Sequence, residues 1–147
     1  MNKNWKNTFY LLFLPVVLSS CSLPVDTGLA ELAVTDFHES YNRASFRAIH
    51  DNASPDFKAF IPQDKFVLLL GKLHARLGQH QSSNLINWTA KSSIKDGATI
   101  TLTYDAVYDN DDRAKESFTF KVNDGMARLY NFNVASKALN RSKDTDI

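Results

Sequence analysis

Between residues 28 and 60, apolar residues recur every three or four positions, which predicts a series of helices. The first helix is expected to present one apolar face, made of Leu29, Leu32, Ala33, Phe37 and Tyr41. A short second helix carries Phe46 and Ile49. Ser54 followed by Pro55 is typical of a capped helix start, so a third short helix is expected there.

The clearest helical pattern follows Pro62 and ends at Gly78, a residue that favours helix termination. Its predicted apolar face consists of Phe66, Leu69, Leu70, Leu73 and Leu77. Basic residues near its C-terminus fit the helix dipole. This pattern predicts a long amphipathic helix with one side buried.

After Gly78 the apolar period changes to two, which predicts strands. Four are expected, over 84–94, 99–108, 117–122 and 128–134, with turns at 95–97, 110–112 and 123–125. In the last strand Arg128, Tyr130, Phe132 and Val134 are predicted to share a face. Helices followed by an antiparallel meander predict an α+β fold, with the N-terminal helices packed on a curved four-stranded sheet.

The N-terminus has the three parts of a secretory signal. Lys3 and Lys6 precede an apolar run over 9–18, and Ser19 and Ser20 follow it. Ten residues of helix cover roughly 15 Å, about half of what a spanning helix needs. The segment is therefore expected to be a signal core and not a membrane anchor.

The string Leu18-Ser19-Ser20-Cys21 resembles a bacterial lipobox. The resemblance implies that Cys21 is lipidated and becomes the first mature residue, and Ser22 in place of Asp favours the outer membrane, facing the periplasm. The predicted organisation is a signal peptide over 1–20, a lipidated tether over 21–27, one domain over 28–135 and a polar tail over 136–147.

Composition changes this picture little. The 147 residues are 44% hydrophobic and 22% charged, which is ordinary for a globular domain. A single cysteine excludes an internal disulfide. The formal charge of +1 offers no basic stripe for nucleic acid. Loss of residues 1–20 removes two lysines, so the mature chain is slightly acidic.

Several short strings resemble the nuclear transport factor 2-like, cystatin-like superfamily, and in particular its uncharacterised bacterial secreted and lipoprotein domains. They are the helix over 66–78, the strand over 102–105, Lys115 to Thr119, Asp124-Gly125 and Arg128-Leu129. Ala127 stands where that group usually has tryptophan. The resemblance covers roughly 28–134 and implies a cone-shaped fold, with little chemistry attached.

Enzymes of this superfamily place Asp, His or Tyr inside the cone. The corresponding candidates are His38, His74, Tyr104, Tyr108, Glu116 and Tyr130, of which His74, Tyr104, Glu116 and Tyr130 form the candidate pocket. A general base at His74 is one hypothesis, and a helix-edge histidine bonded to a carbonyl or water is the favoured one. The tyrosines are expected to be structural. Glu116 is expected to pair across strands with a Lys or Arg, because a lone buried carboxylate is costly.

Other motif classes are missing from the sequence. The four histidines show neither HExxH nor His-x-His spacing, so no metal site is predicted. No glycine-rich phosphate loop or G-x-S-x-G turn occurs, so neither a cofactor nor a catalytic set is predicted. The acidic run over 109–112 lacks the glycine and distant glutamate of a calcium loop, and is expected to be a solvated hairpin tip.

These observations favour a non-enzymatic binding module, anchored to the membrane through Cys21 and facing the periplasm. Its expected partner is a protein, as in an envelope or secretion assembly or a toxin–immunity pair, or a small apolar ligand. One alternative is an enzyme acting on a small hydrophobic substrate, with His74 or Glu116 as base. A structural envelope component is the other.

Overall fold

The computed structural model describes residues 27–93 and 97–140. The elements in these residues are α1 (Gly28–Asn42), α2 (Phe46–Asp51), α3 (Pro55–Phe60), α4 (Gln63–Leu77), β1 (His80–Ser93), β2 (Gly97–Tyr108), β3 (Asp111–Asn123), β4 (Met126–Ala135) and α5 (Lys137–Asn140). The predicted signal peptide, Cys21, most of the tether and the tail beyond residue 140 lie outside the described residues. None of the described helices is long and apolar enough to cross a membrane.

Helix α1 packs on the sheet through a face that differs in part from the predicted one. Val34 and Phe37 are buried, whereas Leu32 is 65% exposed. The Phe37 ring meets the Phe118 ring edge-on at 5.1 Å, which fixes the rotation of the helix against the sheet. The inward face therefore includes His38, a position that a count of apolar residues alone does not select.

The predicted cap of the third helix is confirmed. The Ser54 side chain accepts a hydrogen bond from the backbone N–H of Phe57 at 3.2 Å, and Pro55 occupies the first helical turn. Ser54 is itself buried, and its own N–H donates to the Leu129 carbonyl at 2.9 Å. The cap thus ties α3 to β4.

Helix α4 buries Phe66, Leu70, Leu73 and Leu77 on one line, but Leu69 is 44% exposed. At 3.6 residues per turn Leu69 lies about 60° away from that line, so its inclusion in the buried face was wrong.

Gly78 ends α4 with φ 76° and ψ −157°, a conformation that glycine adopts readily. A Cβ at this position would lie 2.6 Å from the Cβ of Asp109. The Asp109 carboxylate accepts a hydrogen bond from the Gln79 N–H at 2.7 Å. Asp109 of the β2–β3 turn thus holds the Gly78–Gln79 segment in place, and β1 begins directly after it.

The predicted antiparallel meander is confirmed, with strand order β1-β2-β3-β4. Burial alternates along the two central strands, whose inward residues include Leu102, Tyr104, Glu116, Phe118 and Phe120. The sheet is curved and unclosed, and α1 covers its inward face. The first strand begins at His80, four residues earlier than predicted, because His80 already pairs with Tyr108 of β2 and the Gln79 carbonyl accepts from the Asp109 N–H at 3.1 Å.

A bulge in β4 overturns part of the predicted strand pattern. Thr119 pairs with Asn131 and Phe120 pairs with Leu129, so Tyr130 is the extra residue. Leu129 is consequently buried, whereas Tyr130 is exposed on the opposite side. Strict alternation, which placed Tyr130 on the face of Phe132, fails because the bulge changes the phase.

The chain continues to pack beyond the predicted domain end at residue 135. Ser136 is buried and its hydroxyl donates to the Asp111 carboxylate, which also accepts from the Ala138 N–H at 3.3 Å. Ala138 and Leu139 lie partly buried against the core. Residues 136–140 therefore belong to the folded unit.

Candidate functional site

Glu116 is the most unusual residue of the interior, since it is charged and 0% exposed. It lies in the middle of β3 with its side chain facing α1. One carboxylate oxygen accepts a hydrogen bond from the Tyr108 hydroxyl of β2. The other lies 3.0 Å from Nε2 of His38 on α1. Two elements besides its own strand therefore supply the polar partners that a buried carboxylate needs.

This arrangement corrects the prediction that Glu116 pairs with a Lys or Arg across strands. The neighbouring Lys115 faces solvent and lies 3.3 Å from Asp105. Alternation along the strand sends Lys115 and Glu116 to opposite faces, so only inward residues can reach Glu116.

His80, the first residue of β1, completes the group. Its ring stacks on the His38 ring with centroids 3.5 Å apart and planes 5° from parallel, and meets the Tyr108 ring edge-on at 5.5 Å. The Asn42 side chain fixes its backbone, accepting from the His80 N–H and donating to the His80 carbonyl, both at 2.8 Å. We call His38, His80, Tyr108 and Glu116 the buried cluster.

The buried cluster has its own electrostatics. Burial, the largest cause, and the neighbouring His38 together lower the pKa of His80 to about 4, against the opposing effects of the Glu116 charge and a bond with the Ser82 backbone. His80 is therefore neutral at neutral pH. Burial raises the pKa of the Tyr108 hydroxyl, and the Glu116 charge adds to this effect, so Tyr108 remains a donor.

Two further tyrosines border the buried cluster. Burial raises the pKa of Tyr104 to about 12, with the charges of Glu31 and Glu116 contributing. Burial also raises the pKa of Tyr41, whose hydroxyl finds no hydrogen-bond partner among the described residues. Both hydroxyls therefore stay protonated at neutral pH.

The buried cluster also contains side chains of the types that can ligate a metal ion. His38, His80 and Glu116 each offer one ligand atom, and these atoms lie within 4.8 Å of one another. Sequence spacing predicted no metal site, because the three residues are on α1, β1 and β3. The fold brings them together.

The four residues of the candidate pocket do not share one cavity. Glu116 is in the buried cluster, and Tyr104 packs edge-on against Phe118 with centroids 6.1 Å apart. His74 contacts the Tyr41 ring at 5.1 Å, and its Nε2 has no partner among the described residues. Tyr130 is exposed on the outer face, where the ammonium of Lys121 lies 4.9 Å from its ring centroid.

A separate open groove of about 620 Å³ lies between α1, the α2–α3 connection and the start of β4. We call it the side groove. Its walls combine exposed apolar side chains with charges of both signs, including Leu29, Leu32, Asp51, Lys58, Met126 and Arg128. This combination suits a ligand or peptide with an apolar body and polar ends.

Sequence reasoning missed His80 and Asn42. His80 precedes the predicted first strand, and it could have been noticed only by extending that strand back to Gly78. The side groove was missed as well, because Leu29 and Leu32 were assigned to the core. The spacing of Leu29 and Leu32 is compatible with either the buried or the exposed face of α1. The sequence therefore does not show which face these two residues occupy.

The architecture is that of a nuclear transport factor 2-like cone. It is similar to Aln2 from a Streptomyces species, with a TM-score of 0.53 and 7% identity over 78% of this chain and 93% of that one. It is also similar to a protein of Novosphingobium aromaticivorans provisionally called an aromatic ring hydroxylase, with a TM-score of 0.50 and 10% identity over 76% and 93% of the two chains.

At these identities the likeness concerns the fold alone. No protein-family profile matches the chain. No curated protein shows significant sequence similarity to it.

Proposed function

We propose that this protein is a lipid-anchored, periplasm-facing binding module whose partner occupies the side groove. The observation that carries the proposal is the convergence of Leu29, Leu32 and Met126, all exposed, on one groove of about 620 Å³. Exposed apolar side chains gathered in one concavity favour binding of a ligand or partner.

The position of the side groove relative to the anchor supports this proposal. Leu29 and Leu32 belong to the first two turns of α1, which begins at Gly28. Six residues lie between Cys21 and Gly28, and the seven Cα–Cα steps that they form span at most about 25 Å when extended. A lipid on Cys21 would therefore keep the side groove close to the membrane surface.

The competing hypothesis is an enzyme that acts on a small hydrophobic substrate, an idea that the name given to the Novosphingobium protein also raises. Such an enzyme needs its base in contact with the substrate. Glu116 is fully buried, His74 packs against aromatic rings, and neither lines the side groove. Their positions favour the binding hypothesis.

The anchor is tested by replacing the acylated residue. Cys21→Ser is expected to remove the acyl mass of the mature protein and shift it out of the detergent phase in a phase-partition experiment. Ser20→Ala is the matched control, because it keeps a small residue before the cysteine. Unchanged acyl mass in Cys21→Ser would refute the lipid anchor.

The groove is tested by a photo-crosslinking amino acid placed at Leu32 in the full chain, in intact cells. We expect a discrete adduct, whose mass distinguishes a protein partner from a small ligand. Leu68 is the matched control, since it is exposed on α4 and does not line the groove. Equal labelling at both positions, or none at Leu32, contradicts binding in the groove.

A further inference from the structure

The buried cluster contains three side chains that can act as metal ligands, and the hydrogen bonds within the cluster do not engage all of their ligand atoms. His38, His80 and Glu116 bring two imidazoles and one carboxylate within 4.8 Å of one another. Two imidazoles and a carboxylate form a recurrent set for Zn²⁺ and related ions, with distances to the metal of about 2.0–2.2 Å. The 3.0 Å between Nε2 of His38 and the Glu116 oxygen is close to the separation of two ligands on one such ion.

His80 is presented in the manner of a metal ligand. Its Nε2 is buried and has no hydrogen-bond partner among the described residues. Its bond with the Ser82 backbone therefore involves Nδ1, and that bond favours the protonated nitrogen, so Nδ1 donates. This tautomer leaves a lone pair on Nε2. Metal-binding histidines typically donate their other nitrogen to a backbone carbonyl in this way.

Other residues hydrogen-bond to these three side chains or to their backbone and hold them in position. The Tyr108 hydroxyl holds one oxygen of Glu116, which orients the other toward His38. Asn42 fixes the His80 backbone through two hydrogen bonds. Such contacts orient the ligands of metal sites.

We infer that His38, His80 and Glu116 bind one divalent transition-metal ion of the zinc type. The ion replaces the hydrogen bond between His38 and Glu116 and satisfies Nε2 of His80. Three protein ligands leave a fourth position for water. Bound metal would join α1, β1 and β3 at a single point.

Metal binding requires one movement. An ion lies near the plane of each imidazole that binds it, and two parallel rings 3.5 Å apart cannot both meet this condition. The His80 ring is the one that can tilt, since it is only partly buried whereas His38 is buried. Opening of the His38–His80 stack is therefore an expected structural signature.

The test is a titration of the full chain with Zn²⁺ alone, in nonionic detergent. All samples carry Cys21→Ser, so that the one thiol cannot bind the metal. Calorimetry with a competing chelator is expected to give one ion per chain. Glu116→Gln and His80→Ala should each weaken binding by at least about 100-fold, and Tyr108→Phe by roughly 10-fold. Co²⁺ should give the absorption of a four-coordinate nitrogen and oxygen site.

His74→Ala is the matched control, because the Nε2 of His74 is also buried with no partner in the described part of the chain, and His74 is not part of the buried cluster. Its affinity should stay within about twofold of the parent. Circular dichroism confirms that each variant folds, and if Glu116→Gln does not fold, His80→Ala decides the result. No one-to-one binding, or equal binding by His80→Ala, overturns the proposal. Neither result bears on the side groove, so its test stands independently.

Discussion

The buried cluster and the side groove differ in how their polar groups are solvated. In the buried cluster, Glu116 is withdrawn from water, so His38 and Tyr108 must supply its partners. In the side groove, Lys58 and Arg128 stay in contact with water beside exposed apolar side chains. Substitutions in the buried cluster should therefore cost stability, whereas substitutions in the groove should cost binding alone.

The largest expected effect is at Glu116. Glu116→Ala leaves His38 and the Tyr108 hydroxyl without their buried partner, and should lower the free energy of unfolding by about 3–5 kcal/mol. Urea unfolding followed by circular dichroism measures it. Glu39→Ala, at an exposed residue of α1 that pairs with Arg43, is the control and should change stability by less than about 0.5 kcal/mol. Similar losses in both variants would show that the buried partners of Glu116 stabilise the fold no more than an exposed ion pair does.

Removal of a single donor from the buried cluster should have a smaller effect. Tyr108→Phe keeps the ring but leaves one Glu116 oxygen unpaired, and is expected to destabilise by about 1.5–3 kcal/mol in the same unfolding assay. Tyr130→Phe, on the exposed outer face, should be nearly neutral. A neutral Tyr108→Phe would mean that water replaces the hydroxyl, and that the buried cluster is less sealed than the structure shows.

Stability should also be sensitive to substitution at Gly78, which ends α4 just before His80. Gly78→Ala places a Cβ 2.6 Å from Asp109 in a backbone conformation that favours glycine, and should cost about 1–3 kcal/mol. Gly71→Ala is the matched substitution. Gly71 lies within α4, and a Cβ there would be at an ordinary contact distance of 3.9 Å from the Phe46 side chain. That change should be neutral or stabilising by up to about 1 kcal/mol. Thermal denaturation of the two variants checks the contrast, since only Gly78→Ala should lower the melting temperature.

The smallest effect on stability is expected in the side groove. Leu32→Ser alters a side chain that is already 65% exposed, and should change the free energy of unfolding by less than about 0.5 kcal/mol. Val34→Ser, two residues along the same helix, removes a buried side chain and should cost about 1–3 kcal/mol. A large loss in Leu32→Ser, measured by urea unfolding, would assign Leu32 to the core and not to a binding surface.

Much of the fold could be predicted because local patterns and tertiary packing agree there. Period-two alternation predicted the strands over 99–108 and 117–122, which lie within β2 and β3, and Ser54-Pro55 and Gly78 marked helix boundaries. The β4 pattern failed at Tyr130, because a bulge is a property of two paired strands and one strand's sequence does not reveal it.

The site was harder to predict for a related reason. Glu116 was identified as a residue that requires a partner, but the partner was expected from a neighbouring strand. His38 comes from a helix 78 positions earlier in the chain, and its inward direction depends on how α1 rotates against Phe118. Chain spacing carries no information on such a contact.

The sequence by itself determined the order of the elements, the antiparallel meander and the polar and apolar faces of the central strands, because these follow from local periodicity. It also carries the string before Cys21 that resembles a lipobox, from which the lipid anchor is proposed. Only the tertiary structure decided which face of α1 is buried, that His38 and His80 stack beside Glu116, and that Leu29 and Leu32 line a groove. These features depend on packing between distant segments, where a helix rotation of about 100°, equal to one residue, moves side chains between core and surface.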